Sequence, residues 1–558
     1  MNSWLDFIGT PSNGGSHSPG LALGSDRSRA TSVLVDLDVR CATPLSPEKW
    51  STVPTSTLIR RARLVPVRTK VAPDSPVDIR ISDGVVTEVG ADLRPGPDDD
   101  VLDAAGRWAV PGLWDAHVHL TAWAQARAKL DVSGTSSTVE VTRIVADHVA
   151  SLPSPWQGGA IVGYGFRPAT WPTAPTVAEL DAVSGAHPVI LGSADIHTGW
   201  VNSKALALLG VAPRSGPLLE GEWFDLQPAV ARLTAAGGDA DLMLRAAVAD
   251  AAAVGVVGVV DFEMAANHLD WPRRFDAGID LLRVRPVTYA EHLDDAIAAG
   301  LRTGTEFSAG GGLLTQGSLK IFSDGSLNTR TAYCCEPYAD AHALESPRGQ
   351  RVYSLAGLEN LLTRGRRGGF DIALHAIGDA AVDQALTAFE STGTRGSIEH
   401  AQLIRLEDVA RMRALGVRAS VQPGHLLDDR DVTNQCWPDR ADRCFALRSM
   451  LDGGVELALG SDAPVSPLDP WGAMAAAVHR ATGDDAPWNP DESLTAAQAL
   501  AASTDGQGTI GVGSRGDVVL VDEDPLRSTG STADTAHLLR NIGVAATVVA
   551  GRVTHLAM

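Results

Sequence analysis

Cysteine is scarce in this chain. Five residues in 558 are too few, and too irregularly placed, for a disulfide scaffold. Cys334 and Cys335 are neighbours, Cys41, Cys436 and Cys444 are scattered, and no CxxC pair occurs. A reducing, cytoplasmic compartment is the expectation. Cationic excess is missing as well: 46 Lys and Arg stand against 67 Asp and Glu, a formal charge of −21. That balance argues against a surface built for nucleic acid or for anionic membranes. Long apolar runs are also absent. The longest, residues 251–260, lies between Asp250 and Asp261 and is far short of the roughly 20 residues a membrane helix needs. No basic segment leading into an apolar one is found near Met1, so no secretory signal is expected.

What is present is a globular composition, 44% hydrophobic and 20% charged, with enough chain for more than one domain. Residues 1–56 stand apart. The stretch 10–29 is rich in Ser, Gly and Pro and cannot bury enough surface to offset its ordering entropy, so a poorly ordered extension is expected. From Thr57 the pattern changes to short alternating strands, TLIRRARLVPV and VDIRISDGVVTEVG, with Asp83-Gly84 as a hairpin signal. GDVVLVDED and AATVVAGRVTHL repeat that style much later. One small β domain built from residues 57–108 and 512–558 is the reading of these two groups.

Between them, residues 109–511 alternate short apolar strands with Ala-rich helical stretches. The candidate strands are WAVPGLWD, GVVGVVDF, LLRVRPVTY, GSLKIFSD, FDIALHA, GSIEHA, GVRASVQP and VELALGSD. Strands buried on both faces and separated by helices indicate an α/β fold with a parallel sheet. Eight of them allow a closed (β/α)8 barrel. Residues 121–250 are too long for one connection and read as an insertion after the first barrel strand.

The chemistry-bearing residues fall at the ends of these strands. His117 and His119 in DAHVH are two apart, so in a strand both imidazoles share one face. Neutral imidazoles are good ligands for Zn²⁺ and similar ions. A lone His-x-His arises by chance often enough, and a lone histidine at a strand end more often packs than binds. Here His375, His400 and Asp462 follow at the ends of three further strands. That rim is where barrel enzymes assemble their sites, and packing does not account for the repetition.

PGLWDAHVHL, DIHTGWVNSKAL, SLKIFSDGSLNTRTA, LHAIGDAAVD, IEHAQ, SVQPGH and ALGSDAPVSPLDP, in this order, resemble the amidohydrolase superfamily, and within it the amidohydrolase-3 group of YtcJ-like proteins and N-substituted formamide deformylases. The resemblance runs from about Thr57 onward. It implies a distorted (β/α)8 barrel, TIM-like, with a small β-sandwich made from both chain ends.

It also implies roles. His117 and His119 would hold one cation, His375 and His400 a second, and Asp462 would bind metal and hydrogen-bond the attacking water. Two zinc ions per chain are implied. An unmodified lysine repels cations, so Lys320 would bridge them as a carbamate formed with CO₂; its other reading is an ion pair with Asp324 or with a substrate carboxylate. His197 would polarise or orient the substrate, or be a histidine satisfied by Asp195. Trp171 and Trp200 would form an apolar substrate wall, against a plain core role, and Asp324 would touch substrate or shape the loop after Lys320. His425 reads as a residue behind the ligands.

A bound cation lowers the pKa of water from 15.7 to about 7 and polarises an amide carbonyl. Asp462 would take the proton and return it to the leaving nitrogen. The implied activity is hydrolysis of a non-peptide C–N bond, amide or N-formyl, in a small amide-like substrate. Hydrolytic deamination and ester or lactone hydrolysis use the same site and remain open. So does a mononuclear enzyme with Lys320 unmodified. A catalytically dead scaffold would lack ligands, and all are present. A homodimer is the commonest assembly for such a chain.

Overall fold

The computed structural model describes residues 56–558, apart from 69–70, 128, 153–158, 167, 169–170, 194–197, 220–221, 224, 227–228, 231–232, 234–239, 328–329, 345 and 484. The expected N-terminal extension, save Ser56, lies outside the described residues. The described chain falls into two compact units. One comprises Ala124–Met243, the other residues 56–123 with Leu244–Met558.

In the larger unit, strands from both chain ends share one sheet. Ser56–Leu64, Val77–Ser82, Val85–Gly90, Asp99–Asp103 and Trp108–Pro111 join Val518–Val521, Val544–Val549 and Arg552–Leu556. The join is the antiparallel pairing of Val519 with Val110 and its neighbours. Asp83 (φ 50) and Gly84 (φ 75) turn one hairpin, and Ala550 (φ 51) with Gly551 (φ 87) turns another, the left-handed geometry that two-residue hairpins require. Ile59, Ile79, Val86, Leu520 and Val548 are among its buried core residues. The strands follow one hydrogen-bonded path through Ser56–Leu64, with Asp99–Asp103 paired to that strand off the path. A bulge explains the change of direction. Before Arg61 (φ 57) the first strand pairs with Asp99–Asp103 and after it with Trp108–Pro111, while its pairing with Val77–Ser82 shifts register between Ile59 and Ala62.

The parallel strands follow. Leu113–Val118, Val256–Asp261 and Arg283–Pro286 form a three-stranded ladder. Thr288–Tyr289, Leu319–Phe322, Ile372–Ala376, Gly396–His400, Arg418–Val421 and Leu457–Leu459 form a six-stranded one. Their interiors are buried on both faces, as parallel strands flanked by helices should be. These are two ladders, not one closed eight-stranded barrel. The expected strand LLRVRPVTY breaks between Pro286 and Thr288, where Pro286 has no N–H to donate. At the other margin, an isolated parallel bridge between Val118 and Ala463 joins the outer strands.

WAVPGLWD also divides. Trp108–Pro111 belongs to the terminal sheet and Leu113–Val118 to the parallel ladder. Gly112 sits at the junction, and a Cβ there would lie 2.4 Å from Val257 Cγ2. Only glycine allows the two sheets to approach that closely.

The smaller unit has its own five-stranded sheet, in the order Leu218–Leu219, Thr198–Val201, Val189–Ser193, Ile161–Phe166, Leu130–Asp131. Its helix Val177–Ser184 begins with a capping box between Thr176 and Glu179. Val141, Val145, Leu180 and Phe166 pack its core. Among the described residues of the whole chain, no helix is long and apolar enough to cross a membrane.

Candidate metal centre

The parallel register gathers the strand-end residues. Tyr289 pairs with Lys320, Phe322 with His375, and Ala376 with His400. The outer strands meet because Asp462 N–H donates to the His117 carbonyl at 2.6 Å and His119 N–H to the Ala463 carbonyl at 2.9 Å. His400 (φ 73) and Asp462 (φ 55) both hold left-handed backbone conformations. Non-glycine residues adopt these at a cost, and such strain concentrates at functional sites.

His117, His400 and Asp462 bring one donor atom each to within 4.8 Å of one another, and all three are buried. His117 Nε2 lies 3.6 Å and His119 Nε2 3.4 Å from Asp462 Oδ1. The His375 and His400 rings are edge-on at 4.6 Å, but His375 Nε2 is turned to the Gly325 carbonyl at 3.1 Å. The donor set is imidazole and carboxylate, which suits Zn²⁺ and related divalent ions. The cluster's groups are shifted in different directions: burial opposes protonation of His119, but its hydrogen bond to Asp462 and the Asp462 and Glu263 charges raise its pKa. Burial pushes the His375 pKa down to about 3, helped by the Lys320 charge. Burial and the neighbouring His375 keep His400 well below the usual imidazole range. Burial opposes ionisation of Asp462, yet His117, His119 and His400 together hold it well below the ordinary carboxylate value.

Two further residues escaped sequence reasoning. Glu399 Oε2 accepts from His117 Nδ1 at 2.7 Å, and Gln422 Oε1 accepts from His400 Nδ1 at 2.8 Å. Each leaves the ring's Nε2 free to face the site, the arrangement that orients metal-binding imidazoles. The Ser397 hydroxyl also donates to Glu399. Burial would raise the Glu399 pKa, but the His117 hydrogen bond, the His117 and Lys320 charges and Ser397 outweigh it and hold it at about 2. The available signal was adjacency: Glu399 directly precedes His400, and Gln422 stands three residues before His425.

Lys320 is 2% exposed, with Nζ 4.6 Å from the Phe262 ring centroid and 4.9 Å from that of Phe322. His117 stacks on the same Phe262 at 3.7 Å. Burial lowers the Lys320 pKa to about 8, against the opposing pull of Glu399 and Asp462. Asp324 does not pair with it. Its carboxylate accepts from the backbone N–H groups of Tyr333, Ile377 and Gly378, so it shapes the loop rather than presenting a free oxygen to substrate. Trp171 and Trp200 pack with Phe166 in the core of the smaller unit. Their indole N–H groups donate to the Thr135 and Thr176 carbonyls, which is the plain core role instead of an open wall. His197 lies outside the described residues.

Residues 100–555 match the model of the Amidohydrolase family. An N-substituted formamide deformylase of Arthrobacter pascens is 28% identical over 495 residues, covering 80% of this chain and 90% of that protein. Protein LONG AFTER FAR-RED 3 of Arabidopsis thaliana is 30% identical over 470 residues, covering 76% of this chain and 78% of that protein. The crystal structure of an uncharacterized metal-dependent hydrolase from Pyrococcus furiosus superposes with a TM-score of 0.67 at 24% identity, over 85% of this chain and all of that one. The chain belongs to the amidohydrolase family. It is an enzyme acting on carbon–nitrogen bonds other than peptide bonds.

Proposed function

We propose that the protein hydrolyses the amide or N-formyl bond of a small organic substrate at a divalent-metal site. The observation that carries this reading is the convergence of His117, His400 and Asp462 donor atoms within 4.8 Å at the ends of parallel strands. His117, His119 and Asp462 would hold one zinc ion, and His375 and His400 a second. Lys320, as a carbamate, would bridge them. On this reading the two parallel ladders are parts of a distorted (β/α)8 barrel, and the terminal sheet is its β-sandwich domain. When bound, the ions polarise the carbonyl and acidify water.

The chain's own part is proton handling and orientation. Asp462 takes a proton from the attacking water, whose oxygen adds to the carbonyl carbon. The C–N bond then breaks, its electron pair goes to nitrogen, and Asp462 returns the proton there. An amine and a carboxylic acid result. The name of the Arthrobacter relative points to formate as that acid. The four described cysteines are free, which suits a reducing, cytoplasmic compartment.

The test is hydrolysis of a panel of N-formyl amines, N-acyl amines, esters and amino-heterocycles by zinc-loaded enzyme, with product formation followed directly. Cleavage of N-formyl or N-acyl amines, lost on chelation and regained on zinc addition, is the expected result. Turnover indifferent to thorough chelation would overturn the reading. Glu399 gives a second check. Glu399→Gln keeps the shape but loses the charge that steadies His117, and is expected to weaken zinc binding about 10–100-fold, measured by competition with a chromogenic chelator. Unchanged affinity would remove Glu399 from the site.

A further inference from the structure

His425 carries a buried ring nitrogen with no partner. The residue opens the helix His425–Cys436, just past the Arg418–Val421 strand. Its Nε2 is enclosed and makes no hydrogen bond, and its side chain is only 11% exposed. His117, His400 and His375 each hydrogen-bond through one ring nitrogen, whereas His425 Nε2 does not. Buried polar atoms left unbonded in native structures call for a reason.

The surroundings supply one. The His425 ring lies nearly parallel to that of His400, at 16° and 6.2 Å between centroids. Its Nε2 is 3.8 Å from Asp462 Oδ2. The other oxygen of that carboxylate, Oδ1, faces His117 and His119. Asp462 is therefore two-sided, with one oxygen toward the imidazoles of the HVH pair and one toward His425. At 3.8 Å the two groups are too far apart for a direct hydrogen bond, so Nε2 is aimed at whatever reacts beside Oδ2.

We propose that His425 is a substrate-contacting residue whose Nε2 accepts a hydrogen bond from the N–H of the amide being cleaved. This rests on the hydrolase reading above. Neutral imidazole in the Nδ1–H tautomer presents the required lone pair at Nε2. As the C–N bond breaks, the nitrogen keeps the electron pair and receives its new proton from Asp462. Its original N–H stays on nitrogen, and His425 ends the cycle as it began. The contact orients the nitrogen lone pair toward Oδ2. It also makes the site selective for N-monosubstituted amides, because an N,N-disubstituted amide has no N–H to offer.

The experiment compares wild type, His425→Ala and His425→Gln, all zinc-loaded, on three substrates: an N-monosubstituted formamide, its N,N-disubstituted counterpart and the matching formate ester. His425→Ala is expected to lose on the order of 100-fold in kcat/KM on the monosubstituted formamide and only about 3-fold on the other two, the scale of one oriented hydrogen bond in a transition state. Zinc per chain should match wild type, and His425→Gln, whose side-chain oxygen also accepts, should recover part of the loss. Equal losses on all three substrates, or loss of zinc, would overturn the assignment and leave the hydrolase reading intact. If wild type cleaves only the N–H-bearing substrate, the glutamine variant decides: partial recovery supports the contact and none overturns it. Wild-type enzyme inactive on all three would overturn the N-formyl specificity, and the same three variants on an N-monosubstituted N-acyl amine and its N,N-disubstituted counterpart would then decide the contact by the same criteria.

Discussion

Replacing Asp462 by alanine is expected to cut kcat by about 10³-fold or more while most of the zinc stays bound, since general acid–base groups contribute about 10²–10⁴. The geometry separates the two effects. His117, His119, His375 and His400 remain when Asp462 is truncated, so the imidazole ligands survive. The proton acceptor does not. Its Oδ1 lies 3.4 Å from His119 Nε2 and 3.6 Å from His117 Nε2. Asp462→Asn retains the shape without the basicity and should be nearly as inactive, which separates proton transfer from packing. The pH profile carries a further constraint. Because its neighbours hold Asp462 well below the ordinary carboxylate value, its charged form persists as pH falls through the usual carboxylate range. An acid limb near neutrality would belong to another group. The measurements are kcat and zinc per chain for both variants. Near-wild-type turnover in either would remove Asp462 from the chemistry.

Much of this centre was legible because its chemistry is concentrated at strand ends. A histidine or aspartate closing a short apolar strand is visible in a one-dimensional string, and four strands repeat the pattern. What lay outside reach depends on neighbours across the sheet. Glu399 precedes a ligand candidate, but only the approach of the Leu113–Val118 strand makes it the partner of His117. Asp324 fits either a substrate contact or a loop-shaping role in the sequence, and its acceptance of the backbone N–H groups of Tyr333, Ile377 and Gly378 fits the second. The tryptophans fit either an apolar wall or a core, and their satisfied indole N–H groups decide for the core. The assignment of WAVP to the terminal sheet turns on Gly112 against Val257, a contact between segments far apart in sequence. The break at Pro286 was the exception, since a proline inside an expected strand is itself a warning.

Lys320 is where the composition of the site and its number of ions come together. Lys320→Ala is expected to bind about one zinc or fewer per chain and to lose activity by at least about 100-fold, the cost of losing a charge-organising group at such a centre. An ammonium group at this position is surrounded by aromatic rings and enclosed by protein, with Nζ 4.6 Å from Phe262 and 4.9 Å from Phe322. Burial lowers its pKa to about 8, which raises the fraction of neutral amine, the form that attacks CO₂. In the proposed carboxylation nitrogen would bond to the carbon of CO₂, one N–H proton would leave to solvent, and an anionic carbamate would remain. The buried lysine would thereby exchange a positive charge for a negative one. Truncation to alanine would leave space where that carboxylate is proposed to stand, so short carboxylic acids such as propionate should restore part of the activity and the second zinc. Rescue by a carboxylate, with none from an amine of equal size, distinguishes a missing anion from a missing ammonium. Retention of two zinc ions by the untreated alanine variant would show that no carbamate bridge exists and that the centre is organised by the four histidines and Asp462 alone.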